Sequence, residues 1–128
     1  MSDILVLDAS ALLCLIHREQ GWETVRTALP GSRIGAVNLG EVVARLSERG
    51  MTPEAIDSAL GLLDLRVVDF DAEQARASGL LRPATRSAGL SLGDRACLVL
   101  AARLGATALT ADRAWRGVEV GVKIQLIR

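Results

Sequence analysis

Asp8, Glu41, Asp94 and Asp112 stand apart from the other acids of this 128-residue chain. Each lies where an apolar run meets another segment, in "ILVLDASALL", "VNLGEVVARL", "LSLGDRACLVL" and "ALTADRAW". A carboxylate beside an apolar run is costly to desolvate. Gathered together and unpaired, such groups repel one another, and some pKa values rise. A divalent cation removes that conflict, and an all-oxygen ligand set with open positions suits Mg²⁺ or Mn²⁺ rather than zinc. Taken singly, each acid also has a plainer reading. Asp8 could cap a helix at 9–17, and Asp112 could be a turn residue. Asn38-Leu-Gly-Glu41 and Ser91-Leu-Gly-Asp94 both fit a capping box with the acid at its third position. Most remaining acids are surface or cap residues: Asp71 begins a helix, and Asp57, Glu48, Glu54 and Glu73 fall on polar helix faces. Asp69, at a strand end, is less easily dismissed.

The elements that must position the four acids alternate in type. "ILVL" (4–7) is continuously apolar, as in a parallel strand buried on both faces. Helices are expected at 9–17 and 22–29, the second ended by Pro30-Gly31, with a strand at 33–37. Leu39, Val42, Val43 and Leu46 keep helical spacing within a helix at 38–49 closed by Gly50. Thr52-Pro53-Glu54 opens a helix to about residue 63. A strand at 65–70 precedes a helix from Asp71 to about Arg82. Residues 83–90 read as a loop and 91–105 as the most apolar helix, with a terminal glycine. A strand at 106–110, a short helix from 111 and a strand at 122–127 complete the chain. Alternating strands and helices imply an α/β fold with a mostly parallel sheet and helices on both faces. In such a sheet the strand C-termini and the N-termini of the following helices share one edge, where ligands bind. That edge could gather all four acids.

Bulk properties narrow the function. The length suits one domain spanning 1–128, with no linker, repeat or low-complexity segment. Half the residues are hydrophobic, which argues against disorder. Phe70, Trp22 and Trp115 are the aromatic residues, so the core is aliphatic and the stacking platform of many single-strand binders is missing. The 15 basic and 15 acidic residues balance, leaving no bulk signature of a nucleic-acid binder, although a local basic groove is compatible with that balance. Cys14 and Cys97 are far apart and read as buried small hydrophobes. Asp3 and the lack of a charged n-region give no signal peptide, and no apolar stretch is long enough to span a membrane. The expected location is the cytoplasm. His17 is the one histidine, placed at a helix end and read as a surface residue.

At the four acidic segments the chain resembles the PIN-domain family, and within it the VapC toxins of VapBC toxin–antitoxin pairs. "VLDASALL" (5–12), "VNLGEVVARL" (37–46), "LSLGDRACLVLAARLG" (90–105) and "ALTADRAW" (108–115) resemble the family's four acidic motifs in order and spacing. The third is the most specific. The resemblance covers essentially the whole chain and implies a PIN-like three-layer α/β/α sandwich. It further implies a Mg²⁺- or Mn²⁺-dependent endoribonuclease, neutralised by a cognate VapB-type antitoxin. Asp8, Glu41, Asp94 and Asp112 carry over as catalytic and metal-binding residues. Thr110 matches a hydroxyl position near the last acid, and Asn38 and Ser10 are supporting candidates. Asp112 has no close acidic neighbour, which bears on a second metal site. The implied chemistry is hydrolysis by water activated on one or two ions, leaving a 5′-phosphate and a 3′-hydroxyl. Arg95, Arg113 and Arg116 flank the motif acids and Arg86 lies in the 83–90 loop; these are candidates to hold the RNA backbone, or else solvated helix-face residues. The apolar helices exceed what one small sheet can cover, so a homodimer is expected.

Two other functions remain open on the residues. A Mg²⁺-dependent phosphohydrolase of another α/β type could use Asp8 as a nucleophile, but Ser10 stands where such enzymes carry a second Asp, and Lys123 is the sole lysine. A PIN-like module that binds RNA or protein without cutting is the other. The presence of all four acids argues against it.

Overall fold

A computed structural model describes residues 4–128; Asp3 lies outside the described residues. Five short strands form one sheet: β1 Leu5–Leu7, β2 Arg33–Gly35, β3 Val67–Val68, β4 Thr107–Thr110 and β5 Ile124–Leu126. Their order is β3-β2-β1-β4-β5, and every pairing is parallel. The chain winds outward from central β1 in one direction through β2 and β3, then in the other through β4 and β5. The order therefore reverses at β1, where a crevice opens beyond the strand C-termini.

Seven α-helices cover the sheet: α1 Ala9–Ile16, α2 Trp22–Ala28, α3 Ala36–Glu48, α4 Pro53–Gly61, α5 Ala72–Leu80, α6 Arg82–Thr85 and α7 Leu92–Leu104. Single 3₁₀ turns occupy Leu29–Gly31 and Arg113–Trp115. Side chains alternate along a strand, and β1 shows the result. Val6 packs with Cys97, Leu98, Ala101 and Trp115 on one face, and Leu7 packs with Leu12, Val42, Leu46 and Leu109 on the other. Two aliphatic cores thus flank one sheet in three layers, which is why "ILVL" is apolar without interruption. Among the described residues no helix is long and apolar enough to cross a membrane.

The helix ends carry their expected signals in most places. Asp71 and Gln74 form a reciprocal capping box at α5, and the Thr52 hydroxyl accepts from the Ala55 N–H at α4. α7 begins with a Ser91–Asp94 box and ends at Gly105, whose φ of 61° is the left-handed geometry of a helix C-terminus. α7 is buried nearly all round from Arg95 to Ala101, as expected of a helix wedged between a sheet and α5.

Three sequence expectations are corrected. The segment at 83–90 is not wholly a loop: Arg82–Thr85 makes a helical turn. Pro83 suits a first turn, where its missing N–H costs nothing, and the Thr85 hydroxyl donates to the Leu81 carbonyl at 2.8 Å. The strand expected at 65–70 contracts to Val67–Val68 at the sheet edge. Finally, α3 begins at Ala36 directly after β2, with Gly35 as a cap lacking any side-chain bond. Asn38 is therefore inside the first turn and Glu41 one turn further on, so Asn38-Leu-Gly-Glu41 is not a capping box.

Candidate functional site

The strand ends and helix starts converge on one cavity of about 320 Å³, and Asp8, Glu41, Asp94 and Asp112 all line it. Asp8 is the residue between β1 and α1. It is almost completely buried. One carboxylate oxygen accepts from the Ala11 N–H at 2.8 Å, which makes Asp8 the N-cap of α1. The Ser10 hydroxyl lies 2.8 and 2.9 Å from the two oxygens, and the Thr110 hydroxyl at the end of β4 donates to Oδ2. Ser10 in turn accepts from the Ala111 N–H at 2.9 Å, and Thr110 accepts from the Asp112 N–H at 3.0 Å. The hydroxyls therefore tie β1 to β4 across the switch point.

These bonds favour the ionised form, yet burial outweighs them. Desolvation pushes the Asp8 carboxyl from 3.8 up to about 6, with a smaller push from Asp94. Glu41 is raised in the same way, by desolvation first and by Asp94, against an opposing hydrogen bond from Asn38. The buried thiol of Cys97 behind them is raised well above its usual range by burial and then by Asp8, Asp94 and Glu41. Three carboxylates thus act on one point, while Asp112 sits exposed at the rim with its side chain accepting from the Ala114 N–H at 2.9 Å.

Glu41 is seated by two neighbours. Asn38 Nδ2 donates to Glu41 Oε1 at 3.0 Å and to the Gly93 carbonyl at 3.1 Å, joining α3 to α7. A Cβ at Gly93 would overlap the Glu41 carboxylate, so glycine there makes room for the acid. Asp94, one residue on, accepts from the Ser91 N–H at 2.9 Å. It serves as a capping residue and lines the cavity at once. The capping readings of Asp8 and Asp94 and the turn reading of Asp112 therefore do not exclude a place in the site.

The donor set consists of carboxylate oxygens, which fits a hard divalent cation. Among the described residues no three of these side chains converge into a ready cage for one ion. Glu41 and Asp112 are exposed, each held by one hydrogen bond, from Asn38 and from the Ala114 N–H, which leaves oxygens free to meet one. Asp8 and Asp94 are held in place by the bonds above.

The arginines singled out from the sequence lie elsewhere. Arg95 is buried and donates from Nη1 to the Ser78 carbonyl in the last turn of α5 at 2.9 Å. Arg113 is exposed and bonds the Arg128 carbonyl through Nε at 3.3 Å. Arg86 and Arg116 are exposed, and none of these four borders the acidic cavity. The cations that do border it are Arg45, Arg49 and Arg128, and His17 lines it beside them. Arg45 and Arg49 follow Glu41 at helical spacing, a signal present in the sequence. Nothing in the sequence pointed to Arg128, which the fold of β5 brings alongside α1. His17, expected on the surface, is half-buried in the cavity wall.

Comparison with known proteins agrees with this architecture. A family model of the PIN domain matches residues 5–120. The fold superposes on a chain of the DNA-bound VapBC complex of Salmonella typhimurium with a TM-score of 0.74 at 19% identity, covering 99% of this chain and 100% of that one. For a promoter-bound VapBC complex of Rickettsia felis the TM-score is 0.75 at 18% identity, covering 96% and 98%. For a Mycobacterium tuberculosis VapC toxin described as cleaving the sarcin–ricin loop it is 0.70 at 19% identity, covering 93% and 98%. No curated protein matches the sequence. At these identities the solved structures show a shared fold.

Proposed function

The chain belongs to the PIN domain family, and from that premise we propose that it is a metal-dependent endoribonuclease, a VapC-type toxin restrained by a VapB-type antitoxin. The observation that carries this reading is the convergence of four carboxylates, from the ends of β1 and β4 and the early turns of α3 and α7, on one cavity. Asp8, Asp94 and Asp112 would hold a divalent cation, Mg²⁺ or Mn²⁺, with Glu41 completing the set directly or through water. When bound, the cation supplies charge neutralisation and an activated water for phosphodiester hydrolysis near neutral pH.

The chain's own residues supply the positioning. Ser10 and Thr110 fix the rotamer of Asp8, and Asn38 fixes that of Glu41. The burial that raises the Asp8 carboxyl makes an unneutralised site unfavourable, so the same burial favours a bound cation. The similar VapBC structures support an antitoxin partner. Exposed apolar side chains such as Leu62, Leu80 and Leu92 support a homodimer.

The test is incubation of cellular RNA with the purified protein in Mg²⁺, Mn²⁺ or EDTA, beside an Asp8→Asn variant. Discrete cuts that need metal and vanish in the variant are expected. RNA left intact by a folded, antitoxin-free wild type at every metal concentration would remove the proposal.

A further inference from the structure

We propose that the outer face of α3 is a track for the sugar–phosphate backbone, carrying an RNA strand away from the acids past Arg45 to Arg49. This rests on the ribonuclease reading and adds the path of the substrate. Glu41 and Arg45 on α3, and Arg49, which caps its C-terminal end, recur every fourth residue, so they fall on one side of the helix, separated by about 6 Å of rise per step. All three line the same cavity. One wall of the site thus changes sign along a single helix, from the carboxylate that faces the reacting phosphate to two cations placed for phosphates beyond it.

The charge on that wall is available. Arg49 makes no ion pair among the described residues; its Nη1 donates to His17 Nε2 at 3.1 Å. A guanidinium can only donate, so in this contact Nε2 is the accepting atom. His17 therefore aims the Arg49 fork without neutralising it. Arg45 has only a long, exposed contact with Glu48 at 3.9 Å, a weak pair in water. Arg128 across the cavity differs. It is committed to Glu19 at 3.6 Å and to the Gln20 carbonyl at 3.0 Å, and it braces the wall instead of offering a free cation. Arginine's planar fork suits a phosphate oxygen pair. Arg45 and Arg49 are both exposed, which leaves the stripe open to an extended strand.

The experiment uses full-length protein carrying Asp8→Asn, so that substrate survives. Binding of a labelled single-stranded oligoribonucleotide is measured across a salt series for this parent and for added Arg45→Ala, Arg49→Ala, both together, and Arg49→Lys. Each alanine is expected to weaken binding by about three- to tenfold at low salt and to flatten the log–log salt slope by about 0.7. The double variant should flatten it by about twice that, and Arg49→Lys should keep the slope. Slopes equal to the parent's in folded variants would overturn the track. So would a stripe that loses binding only to a poly-glutamate peptide, which would assign it to an acidic polypeptide. Wild-type cleavage of RNA with added metal is run alongside. Cleavage with unchanged slopes leaves the nuclease and removes the track, whereas absence of both cleavage and binding removes both.

Discussion

Replacing Asp8 by asparagine should make the metal-free protein more stable at alkaline pH, although it removes a hydrogen-bonded carboxylate. In the fold the Asp8 carboxyl titrates at about 6, against an ordinary 3.8, because it is buried. At about 1.4 kcal/mol per pH unit, keeping it ionised costs the fold about 3 kcal/mol at pH 8. Between those two values the folded chain binds more protons than the unfolded one. The Asp8 contribution is therefore fully present below pH 4 and is lost as pH rises through 6. In Asp8→Asn the new side-chain carbonyl keeps the Ala11 N–H bond. The new amide would donate to the Thr110 hydroxyl, which must then turn its own proton elsewhere, at a cost of about 1 kcal/mol. The expected net gain is about 2 kcal/mol at pH 8 in EDTA; it crosses zero between about pH 4 and 5 and becomes a loss approaching about 1 kcal/mol at lower pH, as the desolvation term vanishes and the hydrogen-bond cost remains. Urea unfolding of both proteins from pH 4 to 8 reads the difference directly. Added Mg²⁺ should then raise the wild type by mass action and leave the variant unchanged. A variant less stable than wild type at pH 8 in EDTA would refute the reasoning, since the carboxylate's hydrogen bonds would then outweigh its desolvation.

Further substitutions test the supports of the site. Gly93→Ala removes a helical glycine, worth up to about 1 kcal/mol of stability by propensity, but its Cβ displaces the Glu41 carboxylate. RNA cleavage should fall at least about tenfold while urea stability changes by less than about 1 kcal/mol; unaltered cleavage would show that the seat of Glu41 is immaterial. Thr110→Val deletes the hydroxyl that donates to Asp8 and accepts from the Asp112 N–H. It should cost about 1–3 kcal/mol and move the Asp8 titration, followed by carboxyl NMR, further up. Arg95→Met removes the bond to the Ser78 carbonyl and should cost about 1–3 kcal/mol of stability, with oligoribonucleotide affinity unchanged. Weakened RNA binding in a stable Arg95→Met protein would return that arginine to the backbone-binding set.

The element types were legible because each carries a local signal. Strand β1 shows an unbroken apolar run, α7 shows a capping box and a closing glycine, and α4 shows Thr-Pro-Glu. The boundaries were less so. Strand β2 passes into α3 without a loop or a side-chain cap, and no residue marks that junction. The 82–85 turn is helical through Pro83 and a Thr85 bond to the Leu81 carbonyl, a competition between turn and helix that composition does not decide. The acidic motifs were recognisable by type and spacing, and the parallel arrangement explains their meeting.

What the sequence determined by itself was the set of carboxylates, the alternation of strands and helices, and thereby the edge on which the acids fall. These follow from period, caps and chain order, all local properties. The tertiary structure decided which cations face those acids, the helical spacing of Arg45 and Arg49 after Glu41 being the one trace of it in the sequence. Arg95 looks outward by its place beside Asp94, yet α5 packs over it and claims its guanidinium. Arg49 sits eight residues beyond Glu41, and His17 comes from another helix to orient it. It also decided that Asp8 is buried deeply enough to titrate at about 6. Burial and long-range hydrogen bonds join residues as distant in the chain as Asp8 and Thr110, and no local pattern encodes which long side chain reaches which neighbour.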